Sequence, residues 1–173
     1  NIVGREIQED IGADEILEWN VIEDEIDERF ETSLNNWGVV VRFSDITQHD
    51  WGNPDFFEFR INGADIDQEY EIEDCQKQLG VHAPEQKGHD IVDLSSPDET
   101  RRQEAVETIQ RVIDKVRVDI KPHFETDSPS IVIHPGGITE HDSNFGAISK
   151  MNDALERSMS ELDDNGVQLL LEN

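Results

Sequence analysis

The chain has little cysteine, few basic residues and no long apolar run. Cys75 is the only cysteine among its 173 residues, so an intrachain disulfide and a cysteine-rich zinc site are excluded. No stretch approaches the ~18 consecutive apolar residues of a membrane span, and the start lacks a basic-then-apolar secretion signal. We therefore expect a soluble protein without a membrane partner in a reducing compartment, the cytoplasm.

Basic residues number only 14, against 41 acidic ones, which gives a formal net charge of −27. Self-repulsion on that scale needs screening by salt, and the Debye length shrinks to about 3 Å at 1 M salt. A halophilic source is the simplest explanation, and an acidic mesophilic protein or a disordered tail is the alternative. Regular apolar strands argue against disorder. The shortage of Lys and Arg also argues against a nucleic-acid partner.

Short apolar runs alternate with helical patterns from about residue 38 onward, which is typical of βα units and a parallel sheet. The predicted strands are residues 38–44, 56–61, 79–83, 130–135 and 167–172. On the second strand, alternation places Phe57 and Phe59 on one face, and Glu58 and Arg60 on the other. One face of the sheet is therefore expected to be apolar and covered by helices, while the other becomes polar towards the strand ends.

Two helices are predicted between these strands. The first covers about residues 97–118, with Ser96 as its N-cap and Glu99 as the capping-box partner. The second covers about residues 145–162 and leads directly into the fifth strand.

Three of the predicted strands end in a side chain that can bind a metal, namely His82, His134 and Glu172. In a parallel barrel the chemistry lies at the C-terminal ends of the strands, so these three side chains are expected to share one site. The alternative for each is a solvated or hydrogen-bonded side chain at the rim of the sheet. Pro135-Gly136-Gly137 follows His134 and forms a turn that lets the backbone approach a ligand closely.

The length of the chain limits what this fold can be. A complete (β/α)₈ TIM barrel takes roughly 250 residues, so we expect a partial barrel with its first five or so βα units in residues 38–173. The missing initiator Met and the stop at Asn173 both indicate a fragment. Residues 1–37 are strongly acidic with a helical pattern, and they are expected to be an N-terminal extension or the tail of a preceding domain.

Four segments carry a family resemblance: VHAPE at 81–85, DLSSPDETRRQEAV at 93–106, VIHPGG at 132–137 and LLLEN at 169–173. In this order and spacing the chain resembles the xylose isomerase-like TIM-barrel superfamily. That superfamily contains sugar and sugar-phosphate isomerases and epimerases, and also the type 2 apurinic endonucleases similar to endonuclease IV. The resemblance covers about residues 38–173.

The two branches of the superfamily imply different chemistry at the same positions. In the isomerase branch, the residue matching Glu172 binds one divalent ion and takes part in proton transfer, and those matching His82 and His134 often lie near substrate. In the endonuclease branch all three bind a metal cluster. Both branches need further Asp, His and Glu ligands from strands six to eight.

We expect an isomerase or epimerase of sugars or sugar phosphates that depends on Mn²⁺, Mg²⁺ or Zn²⁺ and works through an enediolate. Its catalytic residues would be Glu172 and His134, its metal ligands these two and His82, and its substrate contacts Glu58, Arg60 and His82. Arg42 on the first strand could also hold substrate hydroxyls or a phosphate, and an internal salt bridge between Glu58 and Arg60 or Arg42 is the alternative for these residues. The alternatives for the chain are an apurinic endonuclease with a zinc site and a catalytically inactive barrel fragment. A fragment alone is expected to be inactive, and homo-oligomer formation is left open.

Overall fold

The computed structural model describes residues 36–46, 54–136 and 145–172, with side chains of the last range from residue 148 onward. These ranges fall within one unit of the chain, Asn36–Asn173. The predicted N-terminal extension at residues 1–37 lies outside the described residues except for its last two.

The described ranges contain seven strands and two helices of several turns. The strands are Gly38–Val41 (β1), Phe56–Arg60 (β2), Gln78–His82 (β3), Gln86–Lys87 (β4), Asp90–Ile91 (β5), Ser130–Ile133 (β6) and Gln168–Leu171 (β7). The helices are Glu99–Lys115 (α1) and Phe145–Glu161 (α2). Five strands form one parallel sheet in the order β1-β2-β3-β6-β7, whereas β4 and β5 pair with each other as an antiparallel hairpin.

The prediction of an α/β fold with a five-stranded parallel sheet is confirmed. Each of the five strands starts within one residue of its predicted start and ends one to three residues before its predicted end. Both predicted helices are also present, and α1 is extended by a π-helical turn at Val116–Ile120. The period of the apolar residues therefore predicts these elements well, while their ends depend on local capping.

The core lies on the face of the sheet that the helices cover. Phe57, Phe59 and Ile131 are at most 1% exposed, and they share one cluster with Ile109 and Val112 of α1. Full burial of such a side chain contributes about 1.5–3 kcal/mol. The predicted division of the sheet into an apolar, helix-covered face and a face that becomes polar at its end thus holds in the structure.

The N-cap of α1 differs from the prediction. The Asp98 carboxylate accepts hydrogen bonds from the backbone N–H groups of Thr100 at 3.0 Å and Arg101 at 3.1 Å. Ser96 is therefore not the N-cap, and its hydroxyl instead accepts from the N–H of Asp98 at 3.3 Å. A carboxylate also matches the positive end of the helix dipole better than a hydroxyl does. Glu99 pairs with Arg102 instead of completing a capping box.

The β4–β5 hairpin between β3 and α1 was not predicted. Its turn contains Gly88 with a φ of +67°, a backbone conformation that favours glycine. The N–H of Val92 donates to the carbonyl of Glu85 at 2.9 Å, and this hydrogen bond joins the two ends of the hairpin segment. In the part of the chain that the structure describes, neither helix has the apolar length to cross a bilayer.

Candidate metal centre

The C-terminal ends of β3, β6 and β7 bring the three predicted metal-binding side chains together. The Nε2 atoms of His82 and His134 lie 3.4 Å apart. Oε2 of Glu172 lies 3.3 Å from Nε2 of His82 and 3.7 Å from Nε2 of His134. The strand register explains this convergence, because His82 aligns with Val132 and Leu170, and the other two residues lie two positions beyond these on the same face.

A second carboxylate belongs to the same group. Oε1 of Glu85 lies 3.7 Å from Nε2 of His134, and donor atoms of Glu85, His82 and His134 all fall within 4.8 Å of one another. We refer to His82, Glu85, His134 and Glu172 as the His–Glu cluster. Glu85 was not predicted as part of the site, although Pro84, which restricts the backbone just before it, was a usable signal.

The ring of His82 is oriented by its own backbone. Its Nδ1 lies 3.0 Å from the carbonyl oxygen of Ala83, and a carbonyl can only accept, so Nδ1 carries the proton of this hydrogen bond. In the neutral ring, the lone pair is then on Nε2, the atom that faces His134 and Glu172. A backbone partner on the remote ring nitrogen is the usual way in which a metal-binding histidine is held.

Exposure differs between the imidazoles and the carboxylates. The side chains of His82 and His134 are 14% and 26% exposed, whereas those of Glu85 and Glu172 are 51% and 55% exposed. The imidazoles therefore form the floor of the cluster and the carboxylates form its rim. A small molecule can approach from the rim without displacing the sheet.

The loop that follows His134 is fixed by the segment that leads into α1. The N–H of Ser95 donates to the carbonyl of Pro135 at 2.8 Å. Gly136 has a φ of +125°, and a β-carbon there would collide with the carboxylate of Asp93. Burial raises the pKa of this carboxylate, although its hydrogen bonds from Ser95 oppose the shift. This close packing holds the backbone next to His134 in place.

Of the two predicted substrate contacts on β2, Arg60 adjoins the His–Glu cluster and Glu58 does not. NH2 of Arg60 lies 3.4 Å from Oε1 of Glu85, so Arg60 adjoins the His–Glu cluster. Glu58 aligns with Gly80, one same-face position earlier than the aligned pair Arg60 and His82. Glu58 is thus farther from the strand ends, and among the described residues Arg60 pairs with Glu85 and not with Glu58.

The donor set of the cluster fits a divalent cation. His82, Glu85 and His134 have donor atoms within 4.8 Å of one another, and Oε2 of Glu172 lies beside both imidazoles. Neutral and anionic ligands are therefore offered by three strand ends and one loop. A cation of charge +2 would balance the two carboxylates. Imidazole ligands favour transition metals, whereas Mg²⁺ is usually held by carboxylates, waters and phosphates alone, so the set suits Zn²⁺ or Mn²⁺ better.

Comparisons of the chain with known proteins identified no related protein. No family model, no curated protein and no solved structure matches the chain. The assignment to the xylose isomerase-like superfamily stays a prediction from the four segments in the sequence.

Proposed function

We propose that the protein is a divalent-metal-dependent isomerase or epimerase of sugars or sugar phosphates, built on an α/β barrel of the xylose isomerase-like kind. The observation that carries this proposal is the His–Glu cluster at the C-terminal ends of parallel strands. That is where such barrels hold their catalytic groups. The parallel order β1-β2-β3-β6-β7, with helices on one face, supports the fold part of the proposal.

Metal binding is assigned to four side chains. His82 and His134 would supply nitrogen ligands, and Glu85 and Glu172 would supply oxygen ligands. A divalent cation bound there supplies Lewis-acid stabilisation of the negative charge that develops on a sugar oxygen during isomerisation.

Proton transfer is assigned to Glu172. Its side chain is 55% exposed and lies at the rim, so it is more accessible to a substrate than the half-buried imidazoles, which are 14% and 26% exposed. As general base, Glu172 would remove a proton from the sugar carbon next to the carbonyl. The proton is returned to the neighbouring carbon in an isomerisation and a proton is returned to the same carbon in an epimerisation, so that no net proton is gained or lost. General acid–base catalysis of this kind contributes about 10²–10⁴-fold to the rate.

The first test measures metal binding by calorimetry with Zn²⁺ and Mn²⁺. We expect His82→Gln and His134→Gln to weaken the affinity at least tenfold, because each removes a nitrogen ligand of the cluster. His123→Gln is the matched control, since His123 pairs with Asp74 outside the cluster. Equal affinity in all four proteins would remove the metal centre from the proposal.

The second test follows deuterium exchange into sugars by nuclear magnetic resonance in heavy water, with the full-length protein and Mn²⁺. Exchange at the carbon next to a carbonyl is expected for at least one sugar or sugar phosphate, and Glu172→Gln is expected to lower its rate by about 10²-fold or more. Cleavage of abasic DNA without any exchange would instead favour the endonuclease alternative.

A further inference from the structure

A cleft of about 500 Å³ opens beside the His–Glu cluster. Arg42 follows β1, Arg60 ends β2 and Glu85 follows β3, so the cleft lies across the C-terminal ends of three neighbouring strands. Its volume is within the roughly 300–1,000 Å³ of small-molecule sites. The space suits one compact ligand next to the cluster.

The charge of this cleft is opposite to that of the chain. Among the described residues that line it, two are arginines and one is acidic, whereas acidic residues outnumber basic ones by 41 to 14 in the whole sequence. A chain with a net charge of −27 repels anions at long range. A local excess of guanidinium groups is therefore the feature that would be needed to hold an anion there.

Glu85 connects the cleft with the cluster. Its Oε1 lies 3.4 Å from NH2 of Arg60 and 3.7 Å from Nε2 of His134. Both members of the Arg60–Glu85 pair are more than half exposed, and ion pairs of this kind contribute little to stability. A cation in the cluster can therefore draw Glu85 away and leave the guanidinium of Arg60 to bind an anion.

The positions of both arginines are set by the backbone. Arg60 aligns with His82 in the β2–β3 register, so the two side chains are neighbours on one face of the sheet. The N–H of Arg42 donates to the carboxylate of Asp45 at 2.7 Å, which turns the chain directly after β1. The anion-binding end and the metal-binding end of the site are thus adjacent.

We propose that Arg42 and Arg60 bind the phosphate group of a phosphorylated sugar in this cleft, with the sugar carbons directed to the His–Glu cluster. This rests on the proposed function and narrows its substrate class to phosphate monoesters. Guanidinium groups match phosphate oxygens with two parallel hydrogen bonds each, which an ammonium group does not do. Binding is coupled to the metal through Glu85, so each ligand increases the affinity for the other.

The test compares the binding of a pentose phosphate and of the same pentose without phosphate by calorimetry, using the full-length protein with and without Mn²⁺. The phosphorylated sugar is expected to bind at least tenfold more tightly. Arg42→Gln and Arg60→Gln should each remove about tenfold of its affinity, as expected for a lost hydrogen bond to a charged group. Mn²⁺ affinity should persist in both variants, which shows that they are folded.

Two control variants sharpen this test. Arg111→Gln removes a guanidinium that pairs with Asp67 and does not line the cleft, so it should bind the pentose phosphate as the wild type does. Arg60→Lys keeps the charge but loses the paired hydrogen bonds, so its affinity should lie between those of the wild type and Arg60→Gln. Glu85→Gln should remove the effect of Mn²⁺ on phosphate binding.

The outcomes separate this inference from the proposed function. Equal affinity for the two sugars, or for wild type and arginine variants, would overturn the phosphate site, while proton exchange and metal binding would still support an isomerase. Arginine-dependent binding of the phosphorylated sugar without metal binding or exchange would keep the phosphate site and reject the proposed function. Tighter arginine-dependent binding of an abasic oligonucleotide than of the pentose phosphate would overturn the small-molecule assignment.

Discussion

Tyr70 is the only tyrosine of the chain, and the surroundings of its hydroxyl control its acidity. Its hydroxyl donates to the carboxylate of Asp65 at 2.7 Å, and its ring stacks on Phe43 with 3.9 Å between the centroids. The hydrogen bond to Asp65, together with burial and the negative charge of Asp65, raises the pKa of Tyr70 to about 12 from an ordinary 10.0.

We predict that the tyrosinate absorbance of the folded protein titrates with a midpoint near pH 12. Because the folded state favours the protonated hydroxyl, its contribution to stability is complete below pH 10 and is lost as the pH rises towards 12. Asp65→Asn should lower the midpoint. A wild-type midpoint near pH 10 in folded protein would show that the hydrogen bond does not form.

Three residues of the His–Glu cluster were predicted from the sequence, and the fourth, Glu85, was not. His82, His134 and Glu172 end their strands in the sequence, and the shared strand direction is sufficient to bring them to one edge of the sheet. Glu85 lies in a loop, where no period fixes the direction of the side chain. Its place in the cluster follows from the turn at Pro84 and the hairpin behind it, which are tertiary features.

The two helices are joined by one buried arginine. Arg102 of α1 is 1% exposed, and its guanidinium donates to Glu99 at 2.5 Å, to Glu161 of α2 at 2.9 Å and to Ser158 of α2 at 3.2 Å. The hydrogen bond from Arg102 lowers the pKa of Glu99 to about 2. The stability from the Glu99 contact is therefore present above pH 4.5 and is lost as the pH falls towards 2.

We predict that Arg102→Ala lowers the free energy of unfolding by about 2–3 kcal/mol, because it removes both the buried stem and the buried hydrogen bonds between the helices. Arg102→Met should cost less, since it refills the space of the stem. Arg101→Ala, at the exposed neighbouring position, should stay within about 0.5 kcal/mol of wild type in denaturant titrations. Equal effects of the two alanine substitutions would mean that Arg102 does not join the helices.

Strands and helices were predicted correctly where the periodic pattern of apolar residues was long enough. Strands of four or five residues and helices of 17 residues contain enough repeats for the period to be read. The two-residue strands β4 and β5 contain no period at all. The N-cap of α1 was predicted at Ser96 and lies at Asp98. Both residue types cap helices well, and the backbone of the turn decides which of them does so here.

On the scale of the whole molecule, the net charge of −27 acts against the folded state. The like charges are closer together in the folded chain than in the unfolded chain, so salt should stabilise the fold by screening their repulsion. We predict that the midpoint of thermal unfolding rises by at least about 2–4 °C between 0.1 and 1 M NaCl, which corresponds to about 1 kcal/mol.

A matched variant checks the origin of this effect. Glu104 and Glu107 are exposed on α1. The double substitution Glu104→Gln and Glu107→Gln makes the net charge less negative and changes no core residue. The double variant should have a smaller salt dependence than the wild type in the same thermal scans. A midpoint that does not change with salt would show that charge repulsion is not a major term.

The alternation of apolar and polar residues predicted which face of the sheet is buried. It did not predict what the opposite face contacts. Val40 and Leu170 on the outer strands β1 and β7 are 55% and 40% exposed on that face. Periodicity identifies the two faces of a strand and carries no information about sheet curvature. The curvature of the sheet therefore could not be predicted from the pattern alone.

The hairpin between β3 and α1 has a consequence for protein engineering. Its two ends are held together by the hydrogen bond between Glu85 and Val92, so the hairpin begins and ends at nearly the same point of the structure. A segment attached in this way can be exchanged for a longer or shorter one without changing the strand register beneath it. Because Gln86 and Gly88 also line the cleft, such exchanges offer a route to altering the size of the cleft while the strand-end side chains of the His–Glu cluster, His82, His134 and Glu172, stay in place.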